Sequence, residues 1–212
     1  MALPALGLAA AAGAVLWQLN KEGCEAFTPS SQPLIAHAGG GLPNKFYANS
    51  FEAMNLAVEH GFELIELDFL VSDGALVVGH DEGRISEVTL ASLKDWLDAH
   101  PGVSIVTDIK SGNQYLPTLR EQLGTDQVIP QIYSPSQYTA VRSLGFERII
   151  FTSYRMGRDD WQSEANALDL FAVTIPADRL NLANGVNHPV YLHTVNEPVE
   201  GFGLYTQCLV PA

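Results

Sequence analysis

Short apolar runs alternate with helical patterns along most of this chain, and that alternation limits the possible folds more than any other feature. "PLIAHA" at 33–38 and "FELIELDF" at 62–69 predict strands. Between them, "SFEAMNLAVEHG" predicts a helix that begins after Ser50 and ends at Gly61. Strands that are apolar on both faces are typical of a parallel sheet covered by helices.

The alternation continues to the C-terminus and gives about eight main strands, the number that closes a (β/α)8 barrel. The sequence therefore predicts an α/β protein, a small (β/α)8 TIM barrel with an N-terminal hydrophobic helix. An open doubly wound sheet is the alternative fold. No helical pattern follows the last strand, so the N-terminal apolar segment is a candidate to cover that position.

The N-terminus differs in kind from the rest of the chain. Residues 1–20 are apolar, and no charged residue precedes Lys21. This run predicts a signal or membrane-anchor helix, an extracytoplasmic or membrane-anchored location, and membrane association through residues 1–20. It lacks a basic n-region and is slightly short for a span, so a helix packed on a cytoplasmic barrel is the alternative. Residues 21–32 then form a linker, and the barrel occupies 33–212.

The charge of the chain argues against nucleic acid as a partner. It has 24 acidic and 11 basic residues among 212, a formal net charge of −13. Nucleic-acid binding needs a basic surface that displaces phosphate counterions. A phosphate ester is still compatible with this charge, because a bound divalent cation would dominate the local field.

Polar residues follow the predicted strands at their C-terminal ends, where barrel enzymes build their active sites. Because side chains alternate along a strand, Glu66 and Asp68 share one face, and so do Asp108 and Lys110. The polar residues at the strand ends are His37, Glu66, Asp68, His80, Asp108, Lys110, Gln131, Tyr133, Tyr154, His193 and Asn196.

These residue types together suit a phosphodiester. Three carboxylates at one barrel mouth repel each other unless a cation lies between them, and oxygen ligands suit Mg²⁺ or Ca²⁺. Lys110 would add positive charge for an anion, and His37 and His80 would serve as a base and acid pair. Each residue alone is more often structural, so the prediction depends on their joint arrangement.

Several ordered motifs resemble the glycerophosphodiester phosphodiesterase superfamily, which includes the phosphatidylinositol-phospholipase-C-like phosphodiesterases. The resemblance extends over about residues 33–211, and the block at 65–82 is the most specific in order and spacing. The motifs are "HAGG", "YANSFEA", "IELDFLVSDGALVVGHDE", "DIK", "YLHTVNE" and "GLYTQ".

The resemblance implies a metal-dependent TIM-barrel hydrolase of phosphodiesters, with glycerophosphodiesters or related lipid headgroups as the substrate class. It assigns catalysis to His37 and His80, and phosphate binding to Lys110. The metal ligands that it implies are Glu66, Asp68 and Asp108, for a divalent cation, Mg²⁺ or Ca²⁺. The further residues expected to bind substrate are Asn49, Gln131, Tyr133, Tyr154 and His193.

Three positions depart from the family pattern. Ala38 replaces an Arg after the first His, Ala48 replaces a Glu, and Asp108 replaces a Glu. Two alternatives to hydrolysis therefore stay open. One is a phospholipase-type lyase that releases a cyclic phosphate, and the other is a catalytically weak envelope barrel that binds phospholipid or polysaccharide.

The two cysteines, Cys24 and Cys208, lie near opposite ends of the chain. They have no CxxC spacing, so a zinc site is not expected. In an exported protein that retains Cys24 they could form a disulfide, whereas a cytosolic location would keep both reduced.

Overall fold

The computed structural model describes Cys24, residues 27–43, Lys45, and residues 47–156 and 161–212. The strands are β1 (Thr28–Ser30), β2 (Leu34–Ala36), β3 (Leu64–Ser72), β4 (Ala75–Val78), β5 (Ser104–Ile109), β6 (Val128–Ile132), β7 (Ile150–Thr152), β8 (Ala172–Pro176), β9 (Val190–His193), β10 (Gly203–Thr206) and β11 (Leu209–Pro211). The α-helices are α1 (Phe51–Glu59), α2 (Leu90–Ala99), α3 (Leu116–Leu123), α4 (Tyr138–Ser143) and α5 (Gln162–Asn166). Short 3₁₀ turns lie at His37–Gly39, Asn113–Tyr115, Pro135–Gln137, Ser153–Arg155 and Ala177–Ala183.

Eight parallel strands close into a barrel, in the order β2, β3, β5, β6, β7, β8, β9 and β10. The closure comes from β2, which pairs with β10 on one side and with β3 on the other through Ala36 and Ile65. Because both ends of the sheet meet on β2, the predicted TIM barrel is confirmed and the open sheet is excluded. β4 adds an antiparallel hairpin to β3 across the Asp73-Gly74 turn.

Helix caps in the sequence fix where the first two helices begin. The hydroxyl of Ser50 accepts a hydrogen bond from the backbone N–H of Ala53, and Thr89 forms a reciprocal capping box with Ser92. Such caps satisfy backbone N–H groups that have no partner within the helix. Both helices bury an apolar face against the outside of the barrel, formed by Ala53, Met54, Ala57, Leu93, Trp96 and Leu97.

The inside of the barrel contains a separate apolar layer, formed by Ile35, Val106, Ile129, Ile150, Ala172, Tyr191 and Tyr205. These residues have the same strand parity as the polar residues nearer the C-terminal ends. Val106 and Asp108 on β5 are one such pair. Period-2 alternation therefore directs the polar side chains into the mouth of the barrel, above a packed interior.

The two ends of the described chain are joined on the outside of the barrel. β1 pairs in parallel with β11, from Thr28 with Leu209 to Ser30 with Pro211, and Cys24 forms a disulfide with Cys208. The Cα atoms of the two cysteines are 5.1 Å apart, within the ordinary range for a disulfide. Within the segment 21–32 predicted to be a linker, residues 28–30 form a strand, because the C-terminal strand offers them a backbone hydrogen-bonding partner.

The predicted hydrophobic signal or anchor helix at 1–20 lies outside the described residues. None of the helices that the structure describes combines the length and hydropathy needed to cross a bilayer.

Candidate active site

The C-terminal ends of the barrel strands surround a cavity of about 260 Å³. Its lining is mostly aromatic, basic and acidic, and it includes both of the histidines predicted to be catalytic. The lining residues are His37, Tyr47, His80, Asp108, Lys110, Tyr154, Pro176 and His193.

Three buried carboxylates meet beside this cavity. Glu66 and Asp68 lie on β3, and Asp108 lies on β5 directly opposite Asp68 in the parallel register. One potential ligand oxygen from each residue lies within 4.8 Å of the others, and all three residues are at most 5% exposed. The side chains predicted as metal ligands are thus brought together by strand alternation and strand pairing.

Lys110 lies among these carboxylates. Its Nζ is 2.6 Å from Oδ1 of Asp68 and 2.6 Å from Oδ2 of Asp108. Burial opposes the charge on the ammonium, but Asp108, Asp68 and Glu66 outweigh it and raise the pKa of Lys110. The lysine therefore stays protonated and neutralises part of the cluster.

Among the three carboxylates, Glu66 has the negative charge that its neighbours offset least. Its Oε2 accepts a hydrogen bond of 2.7 Å from the backbone N–H of Ala38 and lies 3.9 Å from Nε2 of His37. Burial, with the charges of Asp68 and Asp108, raises the pKa of Glu66 well above its ordinary value despite Lys110 and this hydrogen bond. A cation bound here would reverse that shift.

The cluster fits a hard divalent cation. All three candidate ligands are carboxylate oxygens, which Mg²⁺ and Ca²⁺ prefer, and burial with the charges of Asp68 and Asp108 raises the pKa of Glu66. Glu66, Asp68 and Asp108 could therefore hold such an ion together.

The second oxygen of Asp108 faces two further groups. The hydroxyl of Tyr133 donates a hydrogen bond to Oδ1, and Nη2 of Arg155 lies 3.8 Å from the same oxygen. Burial favours the neutral acid, but Lys110, Tyr133 and Arg155 together hold the pKa of Asp108 below its ordinary value. Asp108 is therefore ionised even without a metal.

His37 is buried at the end of β2 and is neutral. Burial lowers its pKa well below the ordinary value, and the nearby His193, Lys110 and His80 add to the effect. The centroid of its ring lies 4.8 Å from that of His193 and 5.2 Å from that of Tyr47. Nδ1 is buried and finds no hydrogen-bond partner among the described residues.

His80 follows the β3–β4 hairpin on the more open side of the cavity. Its Nδ1 lies 3.1 Å from Oδ2 of Asp81 and 3.1 Å from Nη2 of Arg84. The ring of Tyr47 contacts that of His80, with 4.1 Å between centroids. Tyr47 therefore packs against both histidines, which face one shared space.

A close backbone approach supports the loop that carries His37. A Cβ atom on Gly41 would lie 1.7 Å from the carbonyl oxygen of Gln207 and 3.0 Å from Sγ of Cys24. Only glycine fits there, because neither the backbone of Gln207 nor the disulfide can give way. The first strand–helix loop is thus packed directly onto the C-terminal segment.

Three residues predicted to bind substrate do not line the cavity. Asn49 donates from Nδ2 to Oδ2 of Asp68 and accepts from the backbone N–H of Asp68, at 2.9 and 3.0 Å. Gln131 accepts from the hydroxyl of Thr152 inside the barrel, and Tyr133 donates to Asp108. In this structure their polar groups hold neighbouring residues in place, and their binding of substrate stays a prediction.

His193 and Tyr154, which are also predicted to bind substrate, line the cavity, and both are neutral. Burial lowers the pKa of His193 to about 4, although Asp108 opposes the shift. Burial and Asp108 raise the pKa of Tyr154. Their rings contact each other, with 5.6 Å between centroids. Asn196, the other polar residue near this strand end, accepts from the hydroxyl of Thr206 and has a structural role.

Tyr47 and Arg155 are not among the site residues that the sequence predicts. Tyr47 lies in the "YANS" motif, two residues before Asn49, and Arg155 directly follows Tyr154 at a strand end. Their proximity to those motifs was the one sequence feature that could have indicated them. The direction of a lone Tyr or Arg side chain in a loop cannot be predicted from the sequence.

The sequence matches no protein-family model and no curated protein. Three solved structures are similar, each at 15% sequence identity. A protein assigned as a glycerophosphodiester phosphodiesterase from Galdieria sulphuraria has a TM-score of 0.57, over 87% of this chain and 96% of that one. A phosphodiesterase from Oleispira antarctica, in complex with the product sn-glycerol-3-phosphate, has a TM-score of 0.58 over 84% and 95%.

The third structure is a glycerophosphodiester phosphodiesterase from Agrobacterium tumefaciens, with a TM-score of 0.51 over 83% of this chain and 96% of that one. The chain therefore spans nearly the whole length of each of these structures. The likeness confirms, at the level of the fold, the resemblance that the sequence motifs indicate.

Proposed function

We propose that this chain is a metal-dependent phosphodiester hydrolase that acts on glycerophosphodiesters or related lipid headgroups. The observation that carries the proposal is the buried cluster of Glu66, Asp68 and Asp108, which adjoins a cavity shared by His37 and His80. The fold of the similar phosphodiesterases supports the same reaction class.

The metal would be held by Glu66, Asp68 and Asp108, with Mg²⁺ or Ca²⁺ as the candidates. When bound, it would supply positive charge that stabilises the phosphoryl oxygens as negative charge develops on them. Asn49 would fix one ligand, because its amide hydrogen bonds to both the side chain and the backbone of Asp68.

The charge of the loaded site matches a monoanionic phosphodiester. Glu66, Asp68 and Asp108 contribute three negative charges, and Lys110 and Arg155 contribute two positive charges. With a divalent cation, one net positive charge remains. A diester has one negative charge, whereas a phosphomonoester approaches two at neutral pH.

The two histidines would divide the proton transfers. His37 is neutral and buried, so it can accept a proton from the attacking water as general base. The ring of His80 contacts that of Tyr47, and Asp81 and Arg84 each lie 3.1 Å from its Nδ1, so it would protonate the leaving alkoxide through Nε2.

The size of the cavity supports a small substrate portion inside the barrel. About 260 Å³ lies just below the usual range of small-molecule pockets, which suits a phosphodiester headgroup. Acyl chains or a large second alcohol would extend out of the mouth. The sn-glycerol-3-phosphate bound to the Oleispira antarctica phosphodiesterase is a product of this size class.

Two alternatives fit specific features of the site. A cyclising lyase would use the same histidines and metal, but the substrate's own hydroxyl would attack the phosphorus. A catalytically weak binding barrel is favoured by Ala38 and Ala48, which remove two polar side chains of the family pattern.

Export of the protein also belongs to this proposal. The disulfide between Cys24 and Cys208 supports an oxidising compartment, since disulfides are rare in reducing cytosol. Residues 1–20 would then direct export or associate the protein with a membrane.

The deciding experiment is a phosphodiester panel assayed with Mg²⁺, Ca²⁺ and EDTA, with products identified by ³¹P NMR. We expect metal-dependent release of a phosphomonoester, and loss of activity in Glu66→Gln. A cyclic phosphate would establish the lyase instead. No turnover of any diester, together with retained binding, would establish the weak binding barrel.

A further inference from the structure

Arg155 lies beside two residues that line the cavity: it directly follows Tyr154 in the 3₁₀ turn after β7, and its Nη2 is 3.8 Å from Oδ1 of Asp108. Its guanidinium stacks over the ring of Tyr133, with 3.7 Å from Cζ to the ring centroid. Stacking on an aromatic face fixes the plane of the guanidinium and leaves its N–H edges directed outward. The side chain is 41% exposed, so a ligand can reach it.

Asp108, the carboxylate nearest to Arg155, does not accept a hydrogen bond from the guanidinium. Nη2 lies 3.8 Å from Oδ1 of Asp108, which is beyond hydrogen-bonding distance, and that oxygen already accepts from Tyr133. In the described part of the chain, the guanidinium has these two contacts and no hydrogen bond. A planar donor group is thus held beside the candidate metal ligand, and its N–H groups make no hydrogen bond to a residue that the structure describes.

The cavity itself provides little positive charge for a phosphate. Lys110 is the one permanently cationic side chain in its described lining. Ala38, next to His37, offers a methyl group, and its backbone N–H already donates to Glu66. A phosphodiester has two non-bridging oxygens. A single ammonium is a point charge, so it does not offset the negative charge on both oxygens.

We infer that Arg155 binds a non-bridging oxygen of the substrate phosphate, as the second cation of a subsite shared with Lys110. Lys110 and Arg155 flank the two oxygens of Asp108, so both cations approach the same part of the mouth. Tyr154, the residue before Arg155 in the chain, lines the cavity, so the backbone of Arg155 directly follows a residue of the cavity wall. This inference rests on the proposed function and adds the residue that replaces the positive charge absent at position 38.

The test compares anion binding with metal binding by isothermal titration calorimetry. The probes are Mg²⁺ alone, then inorganic phosphate and sn-glycerol-3-phosphate in the presence of Mg²⁺. In Arg155→Gln we expect phosphate and product to bind about 10- to 100-fold more weakly, the usual worth of a charge-assisted hydrogen bond. Mg²⁺ affinity should not fall, because no metal ligand is removed.

Two further variants show whether weaker anion binding comes from the charge and shape of the guanidinium at position 155. Arg155→Lys keeps the charge but loses the planar fork, so its phosphate affinity should lie between those of wild type and Arg155→Gln. Arg120→Gln, on the exposed surface of α3, removes the same charge elsewhere and should leave both affinities unchanged. Thermal unfolding of each variant shows that the fold is intact.

The outcomes separate this inference from the proposed function. If wild type with Mg²⁺ bound neither anion and cleaved no diester, the proposed function and this role of Arg155 would both fail. If wild type bound phosphate and Arg155→Gln bound it equally well, only the role of Arg155 would be overturned. A loss of Mg²⁺ affinity equal to the loss for phosphate would also overturn it, because Arg155 would then be positioning Asp108.

Discussion

Lys110 places its ammonium 2.6 Å from Oδ2 of Asp108, the residue two positions before it in the chain. The same nitrogen lies 2.6 Å from Oδ1 of Asp68, on the neighbouring strand. The ammonium of Lys110 therefore attracts two of the carboxylates that would hold a metal ion. It lowers the repulsion within the cluster, and under the proposed function it would be available to the substrate anion once a metal bound the carboxylates.

Replacing Lys110 should separate metal binding from catalysis. In Lys110→Met, Mg²⁺ should bind more tightly than in wild type, because the competing positive charge is gone. Turnover of a diester should fall by about 10²-fold, since a charge partner of the phosphate is lost. Calorimetry with Mg²⁺ and an activity assay measure the two effects, and weaker Mg²⁺ binding in this variant would contradict the competition.

Loss of either histidine should remove catalysis without loss of the fold. His37→Ala and His80→Ala should each reduce kcat by at least about 10²-fold, the usual contribution of a positioned acid or base. His60→Ala, at the C-terminal end of α1 and outside the cavity lining, is the matched control and should retain full activity. Near wild-type turnover in either cavity variant would show that the role assigned to that histidine is wrong.

Mg²⁺ binding should release a proton from Glu66. The pKa of this carboxyl is raised well above its ordinary value in the metal-free protein, mainly by burial, and the metal-bound form needs the carboxylate. Affinity should therefore rise with pH as long as the pH is below that raised pKa, and level off above it. Titration calorimetry in two buffers of different ionisation enthalpy reports the released proton.

Glu66→Gln is the control for proton release. Its amide cannot ionise, so the dependence of the binding heat on the buffer should disappear and Mg²⁺ should bind more weakly. Wild-type heats that are equal in both buffers would show that Glu66 is already ionised before the metal binds.

The disulfide should make a large contribution to stability. Cys24 and Cys208 are 184 positions apart, and closing so long a loop is worth about 2–5 kcal/mol in comparable proteins. Dithiothreitol should lower the urea midpoint of wild type and leave that of Cys24→Ser/Cys208→Ser unchanged. Thiol counting on the unfolded, unreduced protein should find no free thiol, and two per chain would rule out the bridge.

The contact between Gly41 and Gln207 should tolerate no side chain. In Gly41→Ala the new methyl would overlap the carbonyl oxygen of Gln207, so the loop after His37 must move, with loss of both stability and activity. Gly102→Ala is the matched control, because a Cβ there meets no atom within 4 Å and its backbone is not left-handed. If Gly41→Ala kept wild-type stability, the close approach of these backbone segments would be refuted.

Local periodicity made much of this protein predictable. Alternation along β3 and β5 placed Glu66 with Asp68 and Asp108 with Lys110, since side-chain direction in a strand depends only on position parity. Caps and apolar runs likewise located the helices and strands closely enough to indicate a barrel. The motifs then predicted which end of the barrel carries the candidate site.

Contacts between distant segments could not be read from the sequence. Asn49 and Tyr133 had the chemistry to bind substrate, but hydrogen bonds to Asp68 and Asp108 use their polar groups inside the protein. Nor does any local signal aim Arg155 over Tyr133. The side-chain directions of Asn49, Tyr133 and Arg155 depend on strand pairing and on loops that only barrel closure brings together.

The sequence by itself determined the order of strands and helices, the face on which each strand residue lies, and the types of residue at the strand ends. The tertiary structure decided the pairing of β1 with β11, the disulfide across 184 positions, and the insertion of Lys110 between two carboxylates. The physical reason is the separation along the chain over which each effect acts. Backbone geometry fixes the direction of a side chain over a few residues, whereas distances between segments far apart in the chain are set by closure of the barrel and packing of its loops.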